Sequence, residues 1–323
     1  MYIRIIVIYT AADSNYLLQA AVLIRSISLT QKSDVEFFVI GNGWSKSEIS
    51  KIEDLSTKTT SVKVLQTDNL QLSDIRLGRG FPHATLYNIL APSVFLGDFS
   101  RALYLDADMV VTQDLNELWD TNLKTPVGAV LDAHIVWVAS PSMWRPWREE
   151  CLLPLTPYLN TGMMLIDLEA WRNEELTNRC MNLMEKYSLP CVDQDALNLT
   201  LKGNFDQLHP RFNSMPYHHL KMFRYLDTVE SDERIGEAIL EPSIIHYHRS
   251  FLGKPWTYFC THPGVEIWRH LATEFDPSWS RVMDFVGFAR STAARMAKMT
   301  ILDERTHKYG MDLIRLVNQD LLE

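Results

Sequence analysis

Residues 101–112 read RALYLDADMVVT, an apolar run interrupted by two acids. Ala102–Leu105 are apolar and the run resumes at Met109–Val111, which predicts an interior strand of an α/β sheet with both faces buried. Asp106 and Asp108 fall where such a strand ends, and ligands of open α/β sheets bind outside those carboxyl ends. Carboxylates at i and i+2 share a face, about 7 Å apart along extended chain. One can hold a hard divalent cation while the other makes an outer contact or meets a ribose. Two acids in so apolar a setting repel and resist desolvation unless a cation or donors compensate them. A stray D-x-D at a solvated strand end is the plainer alternative. The apolar flanks favour the metal.

The whole chain sets limits on what that site can serve. With 323 residues, 46% of them hydrophobic and 22% charged, it has the material for one large α/β domain, with or without a tail. A net charge of -9 argues against a nucleic-acid binder. An anionic substrate then needs local positive charge or a metal. Cys151, Cys180, Cys191 and Cys260 show no C-x-x-C spacing and read as reduced thiols. The opening MYIRIIVIYT is too short an apolar run for a signal sequence or a membrane span, so a cytoplasmic location is expected. Asn198-Leu199-Thr200 matches a glycosylation acceptor, which carries no weight without a secretory route.

Tyr2–Tyr9 read as the first strand, and Ala11, Ala12, Asp13, Ser14 and Asn15 as turn and cap chemistry before an amphipathic helix over Tyr16–Thr30. Such a loop is a standard nucleotide site, although no G-x-G-x-x-G follows the strand and Gly41-Asn42-Gly43 lacks a third glycine. Asp13 is either a helix cap or a partner for a base or ribose. Val35–Ile40 and Ser61–Leu65 read as strands around a helix at Ser45–Leu55, an alternation that implies parallel pairing. Asp68–Phe81 reads as a loop. His83–Phe95 reads as a helix that Pro92 bends or ends.

Asp114–Trp119 should be a short helix and Val127–Leu131 a strand ending at Asp132. Trp137, Trp144, Trp147 and Tyr158 lie in a proline-rich loop and suit either a sugar face or a local mini-core. An Asn160-Thr161-Gly162 turn is expected to feed a buried strand, followed by one long helix over Leu168–Tyr187. Asp193-Gln194-Asp195 opens a helix over Asp195–Leu201, where acids are ordinary dipole partners. Phe205–Leu208 reads as a strand, His209–Pro216 as a loop, and Asp227–Ala238 as a charged, solvated stretch. Ser243–Tyr247 is the last strand. Its histidines, His246 and His248, lie where either completes a carboxylate–imidazole shell suited to manganese. The stretch 279–299 is basic and amphipathic, and fits an anionic membrane surface or the domain's own flank equally well.

Taken in order, TAADSNY, LYLDAD, NTGMMLIDLEAW, DQDALN, RFN, IIHY and GKPW resemble glycosyltransferase family 8 over about Ile3–Trp256. These retaining enzymes include bacterial lipopolysaccharide α-galactosyl- and glucosyltransferases and glycogenin. The resemblance implies a GT-A fold: a Rossmann-like α/β domain with a mostly parallel central sheet, here over 1–270, plus a helical C-terminal extension over 271–323. It implies a UDP-sugar donor, with UDP-glucose and UDP-galactose foremost, and Mn²⁺ as cofactor with Mg²⁺ as the alternative ion. The acceptor would be a glycan, a lipid-linked sugar or a glycoprotein; on the membrane reading of 279–299, as against packing on the domain, that stretch makes a peripheral contact at the inner membrane face.

By position, Asp106, Asp108 and His246, with His248 as the alternative, resemble the metal ligands, and Ala107 lies between the acids. Ala11, Asp13 and Asn15 match the segment that holds uracil and ribose, and Lys254 a lysine on the diphosphate. Asp132, Asn160, Thr161, Asp193 and Gln194 match the surroundings of the donor sugar, with Thr85 nearby. Asp193, Gln194 and Asp195 are the candidates to stabilise an oxocarbenium-like transition state, and Asp195 and Gln194 the candidates for a protein nucleophile.

Two departures stand out. Asn88 falls where the family commonly has a donor-contacting arginine, with Arg76, Arg79 and Arg101 as possible substitutes. The loop from His246 to Lys254 is two residues longer than the commonest spacing; counting from the strand favours His246. A nucleotide-sugar-binding protein without transfer activity, motivated by Asn88, is the nearer rival. A haloacid-dehalogenase-type phosphatase, motivated by D-x-D-x-V, is a distant one.

Overall fold

Seven residues with the sequence IIVIYTA form strand β1 (Ile5–Ala11), buried from Ile6 to Thr10 on both faces. In the computed structural model, which describes residues 4–67, 83–132, 157–187, 189, 191–219, 230–248 and 252–283, β1 lies inside a seven-stranded sheet. The chain divides into two compact units. The first holds residues 1–17, 33–107 and 116–208; the second holds 18–32, 108–115 and 209–323.

The whole seven-stranded sheet belongs to the first unit. β1 pairs in parallel with β2 (Asp34–Gly41), and β2 with β3 (Thr60–Gln66), as the strand–helix alternation implied. Between them α2 (Lys46–Glu53) starts in a capping box: Ser45 and Glu48 satisfy each other's free amides. On its other edge β1 pairs in parallel with β4 (Arg101–Leu105). The order then runs to β7 (Leu159–Asp167), β6 (Val127–Leu131) and β8 (Asp206–Gln207), with β7 antiparallel to both β4 and β6. The carboxyl ends of β1 and β4 therefore open side by side where the strand order reverses, the crevice in which α/β sheets take ligands.

The run 101–112 is not one strand. β4 ends at Leu105, and β5 (Met109–Val111) belongs to a separate two-stranded sheet. Asp106-Ala107-Asp108 is the turn between them. Likewise Asn160, Thr161 and Gly162 lie within β7 rather than in a turn before it, paired at the edge of β4 where the Asp106 amide donates to the Gly162 carbonyl (2.8 Å).

Helix α3 (Tyr87–Val94), preceded by a 3₁₀ turn at His83–Leu86, runs through Pro92 instead of ending there. Proline removes the amide that would bond the carbonyl four residues back. That carbonyl, on Asn88, accepts from the Tyr9 hydroxyl instead (2.9 Å). The expected long helix over 168–187 is two helices, α5 (Leu168–Asn173) and α6 (Leu176–Lys186), joined through Glu175 at φ 53°. The break is anchored: Trp171 Nε1 donates to Thr177 Oγ1 (2.9 Å), which donates to the Ile89 carbonyl (2.7 Å). Helix α7 (Val192–Leu201) begins three residues before the expected Asp195, so Asp193-Gln194-Asp195 forms its first turn. Asn198, the apparent glycosylation acceptor, is buried, with both side-chain ends on the Leu159 backbone (2.8 and 3.0 Å). Short α4 (Asn116–Trp119) completes this unit, whose core joins Tyr9, Ile89, Tyr104, Met164, Trp171 and Leu197.

The second unit is built from α1 (Leu17–Thr30), β5, α8 (Asp232–Leu240), β9 (Ile244–His246) and α9 (Val265–Phe275). Val22, Val110, Ile245, Tyr247, Trp268 and Leu271 form its core. The charged stretch ending at Ala238 is not simply solvated: it folds as α8 with Ala238 fully buried, and buried Glu230 pairs with Arg234 (2.7 Å). Trp279 packs edge-on against Trp268 (5.5 Å). Residues 284–299 of the basic amphipathic stretch, the loop with Arg76 and Arg79, the tryptophans 137, 144 and 147, and Cys151 lie outside the described residues. No described helix is long and apolar enough to cross a membrane.

One close approach shapes the mouth of the crevice. A Cβ on Gly41, at the end of β2, would meet the Ala12 carbonyl oxygen at 1.7 Å, and that oxygen already accepts from Trp44 Nε1 (3.1 Å). Gly41→Ala is expected to cost about 2–4 kcal/mol in urea denaturation. A cost below about 0.5 kcal/mol would show that the turn after β1 is free to shift.

Candidate active site

In the first unit the candidate residues gather at the ends of β1, β4, β6 and β7 and on the first turn of α7. Ala11 closes β1; Asp13 is half-buried, with one carboxylate oxygen accepting from the Asn15 amide (2.9 Å), and Asn15 is exposed. Thr85 is half-buried on the turn before α3. Tyr104 and Asp106 share a face as i and i+2, and the tyrosine hydroxyl donates to the Asp106 carboxylate (2.7 Å).

The D-Q-D turn is set by an unusual backbone. Val192 sits at φ 23°, a conformation that a β-branched side chain disfavours. Asp193 Oδ2 accepts from Asn88 Nδ2 (2.6 Å) and from Thr161 Oγ1 (3.1 Å). Gln194 uses both ends of its amide. Its oxygen accepts from Asn160 Nδ2 (3.2 Å) and the Thr161 amide (3.1 Å), and its nitrogen donates to Asp132 Oδ2 (3.0 Å). Asn160 Nδ2 also donates to that Asp132 oxygen (2.7 Å). Asp195 accepts from the Tyr158 hydroxyl (2.6 Å) and the Cys191 amide (2.6 Å), one bond on each oxygen. Thus Asp132, Asn160, Thr161, Asp193, Gln194 and Asn88 form one hydrogen-bonded network, and Asp195 on the same helical turn is held by Tyr158 and Cys191.

Burial pushes the Asp193 carboxyl up to about 7, against the opposing hydrogen bonds of Asn88 and Thr161 and with a contribution from the negative charge of Asp106. Asp195 rises to about 6, again by burial, opposed by Tyr158 and Cys191. Asn88 carries no charge with which to hold Asp193 ionised.

In the second unit Asp108 precedes β5, and β5 pairs antiparallel with β9 so that Met109 faces His246. The Tyr247 amide donates to the Asp108 carbonyl (3.0 Å), and His246 Nε2 lies 3.3 Å from Asp108 Oδ1. His246 Nδ1 is 2.9 Å from Asn213 Oδ1, a contact that fixes the ring with its Nε2 on the Asp108 side. His248 instead stacks edge-on against His246 (5.4 Å) and leans on Tyr217 (5.6 Å). Lys254 pairs with Asp108 Oδ2 and also lies over the Trp256 ring (5.3 Å). Gly253, at φ 78° with its Cβ position 3.2 Å from Cys260 Cα, makes the turn that presents this lysine. Burial alone would raise the Asp108 carboxyl, but Lys254 and His246 outweigh it and hold the group well below the usual carboxylate range.

Asp108 and His246 are side chains of metal-ligating type in this unit, and Asp106 precedes Asp108 by two residues on the chain. Carboxylate oxygens with one imidazole nitrogen form a donor set that suits a divalent ion such as manganese. Sequence reasoning gave no role to Tyr104, placed Tyr158 only among aromatic rings suited to a sugar face or a mini-core, and quoted Asn213 only within the RFN motif. Tyr104 was within reach, two residues before Asp106 in an extended run; the others depend on contacts distant in sequence.

A mostly parallel sheet with an acid- and amide-lined crevice beyond its central strands is the architecture of a GT-A glycosyltransferase. The chain belongs to glycosyltransferase family 8, whose sequence model matches residues 7–260. It is 27% identical over 274 residues to general stress protein A of Bacillus subtilis, covering 81% of this chain and 91% of that one. It is also 27% identical over 268 residues to a lipopolysaccharide 1,2-glucosyltransferase of Escherichia coli, covering 80% and 75%. The crystal structure of the galactosyltransferase LgtC with donor and acceptor sugar analogs superposes with a TM-score of 0.68 at 22% identity, over 88% of this chain and all of that one, a likeness of fold. Family membership sets the phosphatase reading aside.

The Asp193 carboxyl gives a pH test. A group near 7 in the fold against an ordinary 3.8 binds its proton more tightly when folded, so its contribution to stability falls as pH rises between those values. Asp193→Asn keeps the acceptor for Asn88 and Thr161 without the charge. It should gain about 2 kcal/mol over wild type in denaturation between pH 5 and pH 8. A pH-independent difference would show that Asp193 titrates normally.

Proposed function

We propose that this protein is a retaining, Mn²⁺-dependent hexosyltransferase that moves glucose or galactose from a UDP-sugar to a glycan, lipid-linked or glycoprotein acceptor. The observation that carries this reading is the meeting of Asp108, His246 and Lys254. A carboxylate held ionised, an imidazole nitrogen and a lysine ammonium brought together are what a metal-bound diphosphate would require. Asp106, two residues upstream on continuous backbone, supplies the second carboxylate, and Mg²⁺ is the alternative ion. When bound, the ion supplies charge neutralisation on the leaving diphosphate.

The chain's own groups do the rest. Lys254 grips the diphosphate. Ala11, Asp13 and Asn15 hold uracil and ribose, with Thr85, Ala107 and Asn88 lining the donor pocket. Asp132, Asn160, Thr161, Asp193 and Gln194 orient the hexose through its hydroxyls. As the anomeric bond breaks, the Gln194 amide oxygen and the Asp193 and Asp195 carboxyls face the growing positive charge in a site that needs no reorganisation. Tyr258, Val282 and Met283 are exposed apolar side chains, with Arg281 over the Tyr258 ring (6.0 Å), and we extend the proposal to peripheral contact of 279–299 with an anionic membrane. The neutral Asn88 beside Asp193 favours one rival, a nucleotide-sugar-binding protein without transfer.

Calorimetric titration with UDP-glucose and UDP-galactose, each with Mn²⁺ and with chelator, is expected to show metal-dependent binding of one donor followed by release of free UDP. Asp108→Ala should abolish both with the fold intact. Donor binding without UDP release across a panel of glycan acceptors would favour the binding-protein rival, and turnover by Asp108→Ala would sink the metal assignment.

The two histidines separate cleanly. His246→Ala should weaken Mn²⁺ binding at least tenfold or so, whereas His248→Ala should change it less than about threefold. Equal, mild effects would mean that neither is a ligand.

A further inference from the structure

Both oxygens of the Asp108 carboxylate are engaged by the chain itself: Oδ1 faces His246 Nε2 at 3.3 Å and Oδ2 pairs with Lys254 Nζ. A divalent ion that takes Asp108 as a ligand therefore meets one positive charge already in place. The two partners differ in their freedom to move. His246 is 1% exposed at its side chain, lies in β9, and is tied through Nδ1 to Asn213 and by ring contact to His248. Lys254 is 20% exposed at its side chain, follows the positive-φ turn at Gly253, and lies against the Trp256 ring, a cation–π contact that is weaker than a strand or hydrogen-bond anchor. Only the lysine can yield.

We infer that Lys254 is the resident counter-cation of the metal site, displaced when a divalent ion enters and thereby delivered to the diphosphate. This rests on the proposed metal reading of Asp108 and His246. Without an ion the ammonium neutralises a buried carboxylate that would otherwise be costly to desolvate. With an ion bound, two cations on one carboxylate repel, and the ammonium leaves for the nearest anion on offer, the diphosphate of the donor. Metal and nucleotide then bind cooperatively because a single side chain exchanges one partner for the other, and such coupling is reciprocal. Lys254 so acts as a positioning residue as well as a phosphate contact, and it keeps the Asp108 carboxylate in place between turnovers.

The test reads metal affinity rather than turnover. Free Mn²⁺ is followed by electron paramagnetic resonance during titration of the full chain, with and without UDP, for wild type, Lys254→Met, Lys254→Gln and Lys254→Arg. Without UDP, both neutral variants are expected to bind Mn²⁺ about tenfold more tightly than wild type, and the arginine variant to remain within about twofold. UDP should tighten Mn²⁺ binding in wild type by a larger factor than in either neutral variant. A lysine that merely braces its loop would produce unchanged or weaker Mn²⁺ binding on neutralisation, which overturns the inference while leaving the metal site standing. Failure of wild type and all variants to bind Mn²⁺ even with saturating UDP would overturn the metal reading and the inference together.

Discussion

Two carboxylates separated by a single alanine cannot both be withdrawn from water without compensation, and the residues around Asp106-Ala107-Asp108 answer that constraint. The chain passes from the first unit to the second between Ala107 and Asp108, and each unit supplies donors to its own acid. Tyr104 gives Asp106 a hydroxyl; His246 and Lys254 give Asp108 an imidazole and an ammonium. The β5–β9 pairing brings His246 beside Asp108, so a three-residue sheet has a role out of proportion to its size.

The acids fall into two electrostatic regimes. Asp108 is held ionised by Lys254 and His246, while Asp193 and Asp195 have only neutral donors and are pushed by burial toward neutrality. Environments that drive carboxyls apart in this way assign them different work. An acid that must stay charged suits a metal or a diphosphate lysine. Acids near neutrality beside amides suit hydroxyl recognition, where a carboxyl can give or take a hydrogen bond.

Much of this was legible in the residues. The buried runs of β1, β2 and β3 and their parallel order follow from hydrophobic blocks separated by an amphipathic helix. The ordered motifs named Asn160, Thr161, Asp193 and Gln194, which share one hydrogen-bonded network with Asp132 and Asn88. What the pattern hid were changes of direction. The apolar stretches on either side of Asp106 and Asp108 look continuous, although they serve different sheets. The break at Glu175 lies in a stretch whose polar residues read as the outer face of one helix. Asn160 and Thr161 have turn-like composition but stand in a strand, because their side chains are consumed by Asp132, Asp193 and Gln194. What Tyr158 and Asn213 do was not legible, because the partners of their side chains lie 37 and 33 positions away.

The bond from the Tyr9 hydroxyl to the Asn88 carbonyl ties together two substitutions that would otherwise look unrelated. With an ordinary residue at position 92, that carbonyl would be capped by the helix itself and the hydroxyl at position 9 would be dispensable. With proline there, the hydroxyl becomes obligatory, because losing it strands a buried carbonyl next to the amide that holds Asp193. The two positions are therefore epistatic: drift can reach this pair by acquiring the tyrosine before the proline, and can leave it only by shedding the proline first.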